Sequence, residues 1–126
     1  MTTAIEQEAD ALCEAGHKAG QSILSAIDDA YEGRSILPAR KFRRVFDCMI
    51  ESLTDEMSGI DAPLFTASAY EAIPQVLLSQ VERAEINSNA HLARAAYMAE
   101  RASEAEAELA DYRYDQMRDE RLMGAA

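Results

Sequence analysis

Tryptophan is absent, and aromatic residues make up only 6% of the 126-residue chain. A core without bulky rings has to be built from alanines and aliphatic side chains on closely approaching elements. Glycine (5) and proline (3) are scarce. The β-branched and aromatic runs bounded by turn residues that mark strands are missing too, which excludes a sandwich or barrel. Two cysteines, Cys13 and Cys48, are too few for a disulfide framework and point to reduced thiols. No window holds the roughly 18 consecutive apolar residues that a bilayer crossing needs. The longest apolar patch, Ile73 to Leu78, is interrupted by Pro74. The first ten residues carry neither the basic nor the apolar region of a signal peptide. These absences leave a single domain over residues 1–126, all-α, cytoplasmic, with no membrane association.

Charge is abundant but lopsided. Twenty-three acids face twelve Lys and Arg, a formal net charge of −11. That balance opposes direct contact with nucleic acid through the bulk surface and favours basic partners by long-range steering. Five of the cations, Arg34, Arg40, Lys41, Arg43 and Arg44, fall within one stretch free of acids. The molecule reads as an acidic body with one basic patch.

Periodicity then sets the elements. Ile5, Ala9, Leu12, Gly16, Ala19, Ile23, Ala26 and Ala30 recur in alternating steps of four and three, which predicts a first helix over 3–31 with a heptad seam. Thr2 or Thr3 can cap its start and Gly33 can stop it. A seam of Ala and Gly lets a partner helix approach closely. Pro38 suits the first position of a second helix over 38–58, ended by Gly59. Phe42, Val45, Phe46, Met49, Ile50, Leu53 and Met57 share its apolar face, the expected centre of the core. Residues 61–65 read as a turn, with a short helix over 66–73 capped by Thr66 or Ser68 and interrupted by Pro74. From Leu77 the repeat Val81, Ala84, Ser88, His91, Ala95, Met98, Ala102, Ala105, Leu109, Tyr112, Gln116 keeps its phase. It predicts one long helix over 75–122, roughly 70 Å in length, with poor helix formers at 87–89 as its weak point. The architecture expected is a small helical bundle of three to four helices with a long, coiled-coil-like C-terminal helix. Its uncovered seam calls for a second copy, and a homodimer is expected.

Two surface features stand out because each is locally unfavourable. Glu100, Glu104, Glu108, Asp111, Asp115 and Asp119 form a row that repeatedly sets like charges at i,i+4. The basic residues 40–44 sit in the first turns of the second helix, where positive charge opposes the macrodipole. Two unfavourable choices of opposite sign suggest mutual compensation, within one molecule or across a dimer.

Sites for chemistry are sparse. Cys13 and His17 lie four apart, with Cys48 and His91 elsewhere, which is half of a zinc spacing. Glu14-x-x-His17 is one di-iron element without the second copy such a site requires. Glu82-x-x-Glu85 with Glu108-x-x-Asp111 superficially resembles the acidic magnesium motif of MazG-like nucleotide pyrophosphohydrolases. On one continuous helix, however, the two pairs stand roughly 39 Å apart. No Walker loop, nucleophile elbow or dinucleotide fingerprint is present, so no catalytic residue, metal or cofactor is expected. The reading is of a non-enzymatic module that uses its acidic row to occupy a basic, nucleic-acid-binding surface of a partner protein. In style it resembles phage and mobile-element inhibitors, including anti-CRISPR proteins. The alternatives are an assembly role for the seam and a nucleic-acid-binding regulator acting through the basic patch.

Overall fold

The computed structural model describes residues 3–31 and 39–124, and the side chains within them apart from those of residues 31, 39–40 and 122–124. Four α-helices follow in order: α1 (Ala4–Tyr31), α2 (Ala39–Thr54), α3 (Asp61–Glu71) and α4 (Gln80–Gly124), with a 3-10 turn (Gln75–Leu77) before the last. The chain is an all-α bundle with a long C-terminal helix. Among the described residues no helix is long and apolar enough to cross a membrane. Gly33, Arg34 and Pro38, the expected stop, connector and start between the first two helices, lie outside the described residues, as does Thr2.

Local chemistry explains the boundaries. Thr3 caps α1, its Oγ1 accepting from the Glu6 N–H at 3.1 Å, so the exposed donors of the first turn are met by a side chain. The second helix stops at Thr54 rather than running to 58. Thr54 Oγ1 donates back to the Ile50 carbonyl at 3.0 Å, while Glu51, Asp55 and Glu56 would crowd negative charge onto the negative end of the dipole. Ser58, expected inside that helix, instead caps α3 by accepting from the Asp61 N–H at 3.1 Å. The third helix therefore starts five residues ahead of the expected one at 66. Pro63 sits in its first turn, where no N–H is needed. Ser79 and Glu82 form a reciprocal capping box at the head of α4, with bonds of 3.1 and 3.2 Å, so the long helix begins at Gln80 and not at 75. It passes through 87–89 without a break.

The third helix touches all three others. Its closest neighbour is α1, because Gly16 and Gly20 present bare backbone to it. A Cβ on Gly16 would collide with the Phe65 carbonyl oxygen and lie 2.9 Å from Ser68 Cβ; one on Gly20 would collide with the Ala69 carbonyl oxygen and lie 2.9 Å from Ala72 Cβ. Around this contact sit two apolar clusters. The larger joins Ile23, Leu24 and Ile27 of α1 to Phe42, Phe46 and Ile50 of α2 and to Ala69 and Ile73. Phe46 is its centre, with the Tyr70 ring at 5.1 Å and the Phe42 ring at 6.1 Å, so three of the chain's few rings are gathered here, against the expectation of a core without them. The smaller joins Ala9, Leu64 and Tyr97, tying the middle of α4 to α1 and α3.

Both expected seams shift in phase. In α1 the buried face runs through Ala9, Gly16, Gly20, Ile23, Leu24 and Ile27, while Ala26 and Ala30 are exposed. A straight helix drifts by about 20° per heptad against a strict seven-residue repeat, so the contact moves one residue along. In α4 the bundle takes Ile86 and Tyr97, while Ala84, Ser88, His91 and Ala95 face solvent and Val81 is 68% exposed. Ile86 and Tyr97 lie off the expected stripe, although one of its members, Met98, packs partly buried against the same cluster as Tyr97. Ile86 and Tyr97 offer far more apolar area than a stripe of Ala and Ser, and area decides which face is covered.

Candidate functional site

Three arginines on one side of α4 fix how far the bundle holds it. Arg83 donates to the Glu71 and Ile73 carbonyl oxygens at the end of α3. Arg94 pairs with Asp10 of α1 at 2.6 Å and donates to the Cys13 sulfur at 3.7 Å. Arg101 pairs with Glu8 of α1 at 2.8 Å and with Glu104 at 2.9 Å. Hydrogen bonding to Asp10 and to Glu8, respectively, holds the guanidinium groups of Arg94 and Arg101 more firmly protonated than usual. Burial pushes the Tyr97 phenol up beside them.

Beyond Glu104 the anchoring stops. Every described side chain from Ala105 to Arg121 is exposed, a projecting rod about 24 Å long. The acidic row is thereby divided. Glu100 borders a shallow crevice beside Ile60, Pro63 and Tyr97, and Glu104 is held by Arg101. Glu108, Asp111, Asp115 and Asp119 stand on the rod, exposed and without a hydrogen bond or ion pair to any described residue. They share the rod with large apolar side chains: Leu109 is 48% exposed, Tyr112 60%, Tyr114 67% and Met117 55%. Carboxylates and large apolar side chains are thus exposed side by side on the rod.

Of the basic patch, Arg43 engages the bundle and not this row. Arg43 binds Asp47 at 3.7 Å and Glu82 at 3.0 Å, and lies over the Tyr70 ring at 5.1 Å. Its role is to clamp α2 onto α3 and α4. The Tyr70 hydroxyl donates to Asp47, and burial together with that carboxylate pushes the phenol well above its ordinary range. Lys41 and Arg44 are exposed on the outer side of α2. Arg34 and the side chain of Arg40 lie outside the described residues.

Among the described residues no three of His, Cys, Asp and Glu come together as a metal site. Cys13 lies beside Arg94, whereas Cys48 is on a different surface. Glu82 and Glu85 share one unbroken helix with Glu108 and Asp111, so the two acidic pairs of the MazG-like pattern remain far apart.

One feature has no counterpart in the sequence reading. Between α1 and α2 runs an apolar groove of about 650 Å³, lined among others by Ala19, Ile23, Ala26, Cys48, Met49 and Leu53. Its signal was the apolar excess of both helices: Ala26 and Leu53 belong to apolar stripes, yet both remain exposed. No family model matches the chain, and neither curated proteins nor solved structures gave a match.

Proposed function

We propose that the chain is a non-enzymatic interaction module whose acidic rod occupies a basic, nucleic-acid-binding surface on a partner protein, as an inhibitor or regulator. The observation that supports this reading is the exposed run of Glu108, Asp111, Asp115 and Asp119 on a helix that has left its own bundle. Steps of three and four residues place these carboxylates about 5–6 Å apart in a line. A rigid line of negative charge is what a groove built for phosphates attracts. Leu109 and Tyr112, alongside, supply the apolar anchor that charge alone does not give.

The test is displacement. Lysate of the source organism is bound to duplex and single-stranded oligonucleotide resins, and the chain is used as eluant. Wild type is expected to release a discrete nucleic-acid-binding protein, and Glu108→Lys with Asp111→Lys and Asp115→Lys is expected to release none while keeping its helical circular dichroism. Glu104 is left unchanged because it holds Arg101. Equal release by the triple variant, or no release by wild type, overturns the reading.

A further inference from the structure

We propose that Cys13 is a site of oxidation by hydrogen peroxide, its sulfur taking up one oxygen in a crevice where Arg94 and the buried Ser68 hydroxyl hold the reagent. The proposal is independent of the acidic rod and of any partner protein.

Two adjoining crevices, of about 520 and about 330 Å³, share Cys13 of α1 and Ser68 and Glu71 of α3 in their walls, and Arg94 of α4 lines the smaller. Cys13 is half-buried. Its sulfur accepts from Nη1 of Arg94 at 3.7 Å, while Nη2 of the same guanidinium is held by Asp10 at 2.6 Å. The cation is thereby fixed beside the sulfur. Ser68 is 2% exposed, and its Oγ has no hydrogen-bond partner among the described residues. A buried serine inside a helix commonly donates back to the carbonyl four residues earlier. Ser68 does not, and a buried hydroxyl left unpaired carries the full desolvation penalty of that group. Its side chain is directed at α1, because its Cβ stands 2.9 Å from where a Gly16 Cβ would be, one turn on from Cys13. An orphaned hydroxyl on α3, a fixed guanidinium on α4 and a thiol on α1 thus border one crevice.

The chemistry that uses this set is attack of the sulfur on a peroxide. Cys13 first loses its thiol proton to solvent. Its Sγ then attacks one peroxide oxygen, and the S–O bond forms as the O–O bond breaks. The departing hydroxide takes a proton from solvent and leaves as water. The sulfur is oxidised by two electrons to a sulfenic acid, and the peroxide is reduced by the same two. Negative charge moves from sulfur to the leaving oxygen during this step, and a cation and a hydroxyl donor fixed beside that path stabilise it where it develops. Peroxide offers an acceptor and a donor on each of two adjacent oxygens, so it satisfies the hydroxyl and the guanidinium together. An alkylating agent makes no use of the hydroxyl. Cys48 lines the groove between α1 and α2, on a different surface, so it does not condense with the product, and the sulfenic acid persists until a soluble thiol reduces it.

The two cysteines supply the internal control. In Cys48→Ser, hydrogen peroxide is expected to oxidise Cys13 about tenfold faster than it oxidises Cys48 in Cys13→Ser, read as dimedone trapping in intact-protein mass spectra, although Cys48 is the more exposed thiol. Adding Ser68→Ala to Cys48→Ser is expected to slow the peroxide reaction about tenfold, the equivalent of one hydrogen bond lost from the transition state, and to leave alkylation by iodoacetamide unchanged. That variant should keep its helical circular dichroism and its unfolding midpoint, because alanine removes an unpaired polar group. Arg94→Gln, which keeps a donor for Asp10 and loses the charge, should slow the peroxide reaction by a similar factor. Cys13 reacting no faster than Cys48 overturns the proposal, as does a Ser68→Ala variant that oxidises at the parent rate. So does a Ser68→Ala variant in which peroxide and iodoacetamide slow together, since that would be loss of access and not of the hydroxyl.

Discussion

At Gly16 and Gly20 two effects of opposite sign meet. Alanine is the better helix former by about 1 kcal/mol in an exposed helix, but here the added methyl points at the backbone of α3. A carbonyl oxygen in the middle of a packed helix cannot step aside as the tip of a flexible side chain would, and overpacking costs typically about 1–3 kcal/mol. Gly20→Ala is therefore expected to lower stability by about 1–2 kcal/mol in urea titrations. Gly59→Ala, with nothing within 4 Å of its added Cβ, should be neutral and serves as the control. An unchanged midpoint for Gly20→Ala would mean that α1 and α3 are not in backbone contact. The small-residue character of this seam was legible before any coordinates, because Gly and Ala at helical spacing have few other uses. The shift from Ala19 to Gly20 was not, since neither residue has a side chain large enough to mark the buried side.

At the scale of the helix, caps and bulky residues set what α4 does. The box of Ser79 and Glu82 starts it, and the Glu82 carboxyl is held below its ordinary value, first by the Ser79 N–H and then by the Ser79 hydroxyl and Arg43. A depressed carboxyl stabilises the fold where it is ionised. Glu82→Gln is thus expected to cost about 0.5 kcal/mol near neutral pH, a modest figure because the group is largely solvated. The deficit should be full above about pH 4.5, the ordinary value, and should vanish as pH falls through the lower folded value, where wild type is protonated as well. A deficit that grows on acidification would contradict the assignment. The Ser-x-x-Glu signature was present in the sequence but was overridden by the heptad phase that continues back to Leu77. The same preference explains the misplaced face. Period was readable from Val81 to Gln116, whereas phase depended on Ile86 and Tyr97, two large residues off the repeat, and on where Arg83, Arg94 and Arg101 found acceptors.

Across the whole molecule, charge and cover are distributed unevenly. The bundle end of α4 is tied down by arginines that neutralise acids of α1, and the far end carries acids that nothing in the described fold neutralises. The acidic row was found from spacing alone, and the structure divides it: Glu104 pairs with Arg101, whereas the four carboxylates from Glu108 onward stand exposed on the rod. Sequence alone could not divide them, because the division depends on where Glu8 of α1 ends its reach. The groove was only half legible: the apolar excess at Ala26 and Leu53 stood in the sequence, but that these two faces would flank one another did not. Amide hydrogen exchange along α4 gives the most direct reading of the central claim, that the projecting end is the docking edge. With the displaced basic protein bound, residues 105–121 should gain protection against the free chain at the same concentration, while 86–101, already buried or anchored, stay unchanged. Protection appearing on the bundle and not on the rod would contradict it.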